Sequence, residues 1–90
     1  MESNIIENLN YDLKYNYQLL KNDIILLDTD QLLTSYSVIV NNIKNNRIVK
    51  STYVCDIARD LDTAKRIFFM LVNCRVDCET VRECTEELLS

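Results

Sequence analysis

The chain has no glycine and no proline among its 90 residues. Average usage of roughly 7% glycine and 5% proline would place about ten of them in a chain of this length. Glycine is the usual residue where the backbone needs a positive φ angle, and asparagine and aspartate tolerate that conformation next best. Every tight turn must therefore be built by residues that carry a Cβ atom, and we expect Asn and Asp at these turns.

The strongest such turn signal is Asn45-Asn46, which lies between two segments rich in β-branched and aromatic residues. A two-residue type I′ turn needs positive φ at both central positions, which two asparagines can provide. The pattern predicts an antiparallel hairpin with strands over residues 34–43 and 48–57.

A two-residue turn also fixes the register of this hairpin, because a slip of one residue exchanges the two faces. In this register Ile43 faces Ile48, and Val38 faces Tyr53. The predicted core face consists of Tyr36, Val38, Val40, Val49, Tyr53 and Cys55. The opposite face carries the apolar residues Ile39, Ile43, Ile48 and Val54 among polar ones.

The first twenty residues give a less defined pattern. Apolar and polar residues alternate from Tyr11 to Leu19, which predicts a half-buried strand over residues 11–20. A helix is the alternative, because an apolar set with helical spacing overlaps the same stretch; strand is preferred because Tyr favours strands. Residues 1–10 are interpreted as a frayed terminus or a short helix.

Two polar clusters in the following stretch are typical of turns. These are Lys21-Asn22-Asp23 and Asp28-Thr29-Asp30, whose short side chains can bond their own backbone. Residues 24–27 are apolar and could extend the strand pairing between them.

The last third of the chain predicts two helices, over residues 61–73 and 78–89. Asp60 and Asp77 are good N-cap residues, and Asn73 is expected to end the first helix in a left-handed conformation. Helical spacing predicts a buried stripe on the first helix, formed by Ala64, Ile67, Phe68, Leu71 and Val72. On the second helix it predicts Cys78, Val81, Thr85 and Leu88 as buried. We therefore expect one α+β domain over residues 1–90: a three-stranded antiparallel meander followed by two C-terminal helices packed on one face.

A set of motifs runs through the chain: Tyr36-Ser37-Val38, Cys55-Asp56-Ile57, Asp60, Ala64, Asn73 and Glu86-Glu87-Leu88-Leu89. In this order they resemble a small clostridial domain family of uncharacterised function. The resemblance covers roughly residues 15–89 and implies the same fold, but no activity, substrate or catalytic residue. Ser37 stands where that family usually has Gly, and the family's usual Pro before the last helix is missing.

Composition argues against most catalytic chemistry. The chain has no histidine, which is the commonest general base near neutral pH and the commonest metal ligand. Without glycine it has no phosphate-binding loop and no dinucleotide fingerprint. We therefore expect a protein that is not an enzyme and that needs no cofactor and no metal.

The four cysteines are Cys55, Cys74, Cys78 and Cys84, and their spacing is not that of a zinc ribbon. We expect reduced, mostly buried thiols, with a metal or redox protein as the alternative. Cys78 lies near the predicted start of the second helix, where a helix N-terminus lowers the pKa of a thiol and makes it more reactive. Burial of Cys78 would oppose this effect. The carboxylates Asp56, Asp60 and Asp62 are expected to cap the first helix and to lie in water at the end of the preceding strand. Binding of Mg²⁺ or Ca²⁺ is the alternative.

Charge and hydropathy constrain the partners. The formal net charge is −4, so direct nucleic-acid binding, which needs a basic surface, is not expected. The acidic outer face of the last helix is compatible with DNA mimicry as well as with simple solvation. No apolar run reaches the ~20 residues of a membrane span and no signal peptide opens the chain, so we expect no membrane association and a cytoplasmic location.

The predicted function is regulation by protein–protein interaction. Apolar residues on a sheet face that should be polar mark a contact surface. The predicted contact residues are Ile39, Ile43, Ile48, Val54 and Phe69. The expected partner is another protein of unknown identity, with a homodimer as one form of the association. The alternative is an accessory protein of a mobile genetic element: a recombination directionality factor that binds a site-specific recombinase, or an inhibitor of the anti-CRISPR type.

Overall fold

The computed structural model describes residues 2–89 and is α+β, with a four-stranded antiparallel sheet followed by two helices. The sheet is a meander with strand order β1-β2-β3-β4. The predicted fold class is therefore correct, but the predicted strand count of three is wrong. The elements are β1 (Glu2–Tyr11), β2 (Tyr15–Leu26), β3 (Gln31–Lys44), β4 (Arg47–Ala58), α1 (Leu61–Asn73) and α2 (Val81–Leu89).

The additional strand is β1, where a frayed terminus or a short helix was expected. A bulge between Ile5 and Glu7 interrupts its alternation of apolar and polar residues, which hides the strand in the sequence. The turn after β1 is also hidden. It has three residues, 12–14, and therefore leaves Tyr11 directly opposite Tyr15 on the same face. The period-two pattern runs through this turn without a break, so two strands looked like one.

Residues 21–23 were predicted as a turn but lie inside β2. Asn22 is 3% exposed, and its amide donates to Ser37 Oγ at 2.6 Å and accepts from Ser3 Oγ at 2.8 Å. These bonds satisfy the polar side chain inside the sheet, so the strand continues where propensity predicted a break. The second predicted turn, at residues 28–30, is confirmed and joins β2 to β3.

The hairpin of β3 and β4 begins as expected. Asn45 and Asn46 have φ angles of 54° and 63°, and Ile43 pairs with Ile48. A bulge in β4 then follows, because Val49 has no partner between the pairs Ile43–Ile48 and Asn42–Lys50, and beyond it Val38 pairs with Val54 instead of Tyr53. The core face predicted on β3 is confirmed, since Tyr36, Val38 and Val40 are buried. On β4 the prediction is wrong: Val49, Tyr53 and Cys55 are exposed, and Val54 packs against the core instead.

Contacts of Cys78 hold the connection between the helices against the strands just past this bulge. Its Sγ atom donates to the carbonyl oxygen of Val40 at 2.9 Å, and its backbone N–H donates to Asn42 Oδ1 at 3.2 Å. Its own carbonyl oxygen accepts from Thr52 Oγ1 at 2.8 Å. These are tertiary contacts, which short-range sequence patterns do not contain.

Helix α1 lies where it was predicted. Its N-cap Asp60 accepts a hydrogen bond from the backbone N–H of Thr63 at 2.8 Å, which lowers the pKa of the Asp60 carboxyl. Four of the five predicted stripe residues, Ala64, Ile67, Phe68 and Leu71, are buried in the core, and the fifth, Val72, is partly buried and packs against it.

The end of α1 differs from the expectation. The left-handed residue is Arg75, with φ 54°, and not Asn73. The Arg75 N–H donates to the Val72 carbonyl and the Val76 N–H donates to the Leu71 carbonyl, which together form a Schellman motif. The guanidinium carbon of Arg75 lies 4.7 Å from the ring centroid of Tyr11, and this cation–π contact helps to hold an arginine in a conformation that usually favours glycine.

Helix α2 begins three residues later than predicted, after a turn that Asp77 caps. Partial burial raises the pKa of Asp77, but hydrogen bonds from the Thr80 side chain and from the Thr80 and Glu79 N–H groups outweigh it and leave the pKa below its usual value. The expected inward residues are confirmed: Cys78, Val81 and Thr85 are buried, and Leu88 packs against the core.

Candidate interaction surface

Strands β2 and β3 extend beyond their neighbours and form a two-stranded projection, residues 24–33, which we call the arm. The described part of β1 pairs with β2 only as far as Asp23, and β4 pairs with β3 only as far as Tyr36. Beyond these points Ile24 pairs with Leu33, and Ile25 pairs with Leu32. The molecule measures 47 × 28 × 18 Å along its principal axes.

The arm exposes large apolar side chains on both faces. Directly paired residues point to the same side, so Ile25 and Leu32 share one face while Ile24 and Leu33 share the other. Leu27 at the tip is 92% exposed. The exposed apolar residues of the arm are Ile24, Ile25, Leu26, Leu27, Leu32 and Leu33.

The arm also lacks the features that usually protect an exposed strand. No lysine or arginine occurs between Lys21 and Lys44, and the only charges in the arm are Asp28 and Asp30 at its tip. Natural proteins place lysine, proline or bulges at exposed edges to prevent pairing with other chains. A two-stranded ribbon is also marginally stable in water unless it packs on something. An apolar, unprotected ribbon of this kind is typical of a surface that becomes buried by association.

A cavity of about 260 Å³ lies at the base of the arm. The guanidinium of Arg59 at this cavity donates to both carboxylate oxygens of Asp56, at 3.0 and 3.4 Å. A guanidinium has five N–H groups, and within residues 2–89 only these two of Arg59 have a hydrogen-bond partner. The lining residues are Asn22, Ile24, Leu33, Ser35, Tyr53, Cys55, Asp56 and Arg59.

The sheet face opposite the helices, which we call the outer face, is mainly polar. Asn16 is 8% exposed at the centre of this face, and its side chain makes four hydrogen bonds with other side chains. Its amide nitrogen donates to Asn8 Oδ1 and Asn10 Oδ1, both at 2.7 Å, and its oxygen accepts from Gln18 and Asn41 at 3.0 and 2.9 Å. All donors and acceptors of this side chain are satisfied, so the centre of the outer face needs no further partner.

The five contact residues predicted from sequence do not form one patch. Ile39, Ile43 and Ile48 are on the outer face, where Ile48 is 59% exposed and the other two are half-buried. Val54 is on the helix side of the sheet and packs against the core, because the bulge in β4 moves it to the other face. Phe69 is 39% exposed on α1 and packs edge-to-face against Phe68.

The sequence contained a signal for the arm that the prediction did not use. Residues 24–27 are four consecutive apolar residues, followed within five positions by Leu32-Leu33. A strand with one solvated face should alternate, so a continuous apolar run needs cover on both faces. Within residues 2–89 nothing provides that cover for the end of this hairpin, since Ile25 and Leu32 on one face and Ile24 and Leu33 on the other are all exposed.

The cysteines do not share one environment. Cys55 and Cys74 are exposed and Cys78 is buried, so the expectation of mostly buried thiols is only partly correct. Cys74 and Cys84 line a second cavity between the helices. Burial, together with the nearby Glu87 carboxylate, raises the pKa of the Cys84 thiol and keeps it protonated at neutral pH.

No group of three or more Cys, Asp or Glu residues in the described chain is placed to hold a metal ion. In particular, Asp56 is paired with Arg59 and Asp60 caps α1. None of the helices within residues 2–89 has the length and apolarity needed to cross a membrane.

The chain matches no protein-family model, and comparisons with curated proteins and with solved structures gave no match either. The resemblance to a clostridial domain family therefore stays a prediction from sequence motifs. Function has to be inferred from the surface itself, because a fold alone does not define an activity.

Proposed function

We propose that the protein is a small non-catalytic regulator that binds another protein through the arm. The observation that carries this proposal is the exposure of six large apolar side chains on a ribbon with no basic residue to protect it. Burial of such side chains is the main driving force of protein association, at about 25 cal/mol per Å² of apolar surface.

The mode of binding follows from the shape of the arm. Both long edges of residues 24–33 lie beyond the neighbouring strands, so backbone groups along them are available to a partner strand. Addition of a strand to such an edge supplies main-chain hydrogen bonds, while side chains on alternate faces supply specificity. The partner should therefore present an extended apolar segment or a shallow apolar groove.

The test is affinity capture from the native host with matched variants. Ile25 and Leu32 are 63% and 61% exposed and directly paired, and their replacement by Thr keeps strand propensity while removing apolar surface. We expect Ile25→Thr/Leu32→Thr to lose a specific captured protein that the wild type retains. The captured protein is then purified, and direct binding is measured with the same variants.

The control uses the other exposed hairpin. Ile48 and Val49 are 59% and 61% exposed, so Ile48→Thr/Val49→Thr removes a similar amount of apolar surface far from the arm. The control variant should bind like the wild type. If it loses binding while the arm variant keeps it, the contact surface lies near the sequence-predicted Ile39, Ile43 and Ile48 and the arm is not the binding element. Capture of a recombinase or a nuclease would favour the mobile-element alternative.

A further inference from the structure

We infer that the arm also binds a second copy of this chain, in a two-fold symmetric dimer that places each arm tip in the cavity at the base of the other arm. This inference rests on the proposed function, because it uses the arm as the binding element. It goes further by naming one partner and the two surfaces that meet.

The size of the two surfaces is compatible. Leu27 at the tip is 92% exposed, and the cavity of about 260 Å³ is lined partly by Ile24, Leu33 and Tyr53. A leucine side chain has four carbon atoms and fills roughly four times the ~30 Å³ of a water molecule, so the cavity can accept it. Leu27 would thus exchange an almost fully exposed position for an apolar lining.

The charges are also complementary. The tip carries Asp28 and Asp30 with no basic residue nearby in the sequence, whereas the cavity carries Arg59. Asp56 already accepts two of the five N–H groups of Arg59, and the fork geometry of the guanidinium leaves donors for a further carboxylate.

Two-fold symmetry limits the assembly to two chains, because each tip and each cavity is then occupied. Tip and cavity lie at opposite ends of the same short ribbon, so two arms that run antiparallel bring both tips to both cavities at once. The faces of the ribbons then cover one another between these two contacts. The face that meets the other arm is the one that carries Ile24 and Leu33 together with the cavity, and the tip and the cavity rim add to the buried surface.

The primary test is sedimentation equilibrium of the full chain over a range of concentrations. Wild type should have twice the chain mass at high concentration. Leu27→Asn should weaken the dimer by about 100-fold, tenfold for each of the two lost leucine contacts. The matched control is Leu13→Asn, since Leu13 is 76% exposed in the turn at the other end of the sheet and should leave the dimer unchanged.

A charge exchange tests the proposed pairing itself. Arg59→Glu alone and Asp28→Lys/Asp30→Lys alone should each reduce dimer formation, because like charges then meet at both contacts. The three substitutions together should restore the dimer. All altered side chains are exposed, and circular dichroism with a thermal midpoint verifies that each variant is folded.

Three outcomes overturn the inference. Wild type that stays at the mass of one chain excludes the dimer. A dimer that is insensitive to Leu27→Asn and to the charge exchange uses another surface. A mass that grows beyond two chains shows an open rather than a closed contact.

If wild type is monomeric but Ile25→Thr/Leu32→Thr still loses the captured protein, the dimer is rejected and the proposed function stands. If the dimer forms through the arm but no captured protein depends on it, the proposed function fails instead.

Discussion

At the scale of single residues, the absence of glycine is compensated in two ways. Within residues 2–89, five of the seven residues with positive φ are Asn or Asp, as the composition predicts: Asp12, Asp30, Asn45, Asn46 and Asp56. The other two, Leu13 and Arg75, have no polar side chain short enough to bond the local backbone. Arg75 gains a contact with Tyr11 in exchange, whereas Leu13 is 76% exposed, so the two exceptions should differ in their effect on stability.

Replacement of Leu13 should therefore stabilise the fold. A left-handed conformation costs a residue such as leucine roughly 1 kcal/mol more than asparagine, and little contact is lost at an exposed position. We expect Leu13→Asn to raise the free energy of unfolding by about 0.5–1 kcal/mol, measured by urea denaturation. An unchanged or lower value would show that the turn is not held in this conformation.

Tyr17 gives a prediction for alkaline pH. Its hydroxyl donates to the Val76 carbonyl at 2.7 Å, and burial, which disfavours the charged phenolate, raises the pKa of Tyr17 from 10.0 to about 12. The folded chain thus holds this proton more tightly than the unfolded chain. The contribution of this proton to stability is fully present below pH 10 and is lost as the pH rises through 12. At pH 12 it has lowered the free energy of unfolding by about 2 kcal/mol.

The comparison with Tyr17→Phe isolates this group from other residues that titrate at alkaline pH. At pH 7 the variant should be less stable by about 1 kcal/mol, because the Val76 carbonyl loses its partner. Between pH 10 and pH 12 the difference from wild type should shrink to zero or change sign. A constant difference across this range, measured by denaturation at each pH, would contradict the assignment of a buried, hydrogen-bonded Tyr17.

At the scale of elements, the sequence predicted what depends on local signals. The N-cap Asp60, the stripe of α1 and the Asn45-Asn46 turn were all correct, because each is encoded within a few neighbouring residues. The predictions failed where structure depends on distant contacts. The bulge of β4 adjoins strand atoms that bond to Cys78, and the turn at residues 12–14 keeps the alternation of its two strands intact. The same bulge explains the error at Val54: the prediction did not include it and therefore assigned this contact residue to the wrong face of the sheet.

Helix α1 contributes four buried side chains to the core. The Leu71 side chain is 2% exposed, so Leu71→Ala leaves a cavity in the core and should destabilise the fold by about 2–5 kcal/mol. Met70 is adjacent but 43% exposed, and Met70→Ala should cost less than about 1 kcal/mol. Equal thermal midpoints for the two variants would mean that the buried stripe is wrongly assigned.

At the scale of the whole molecule, six of the fifteen exposed large hydrophobic residues within residues 2–89 lie together in the arm. The outer face is satisfied by its own side-chain hydrogen bonds, and α1 and α2 cover the other face of the sheet. The arm is left with exposed apolar residues on both faces of its ribbon and with an acidic tip. This distribution makes the arm, rather than the outer face predicted from sequence, the surface on which we base the proposed function.

Amide hydrogen exchange of the associated protein, compared with the dilute free chain, tests this central claim most directly. It reports which backbone segment becomes covered without any substitution. If the arm is the binding element, residues 24–33 should exchange more slowly in the captured complex or in the dimer, while the turn at Asn45-Asn46 should exchange at the same rate in both states. Unchanged exchange in residues 24–33, with new protection around Ile39 and Ile48 or on α2, would contradict the claim.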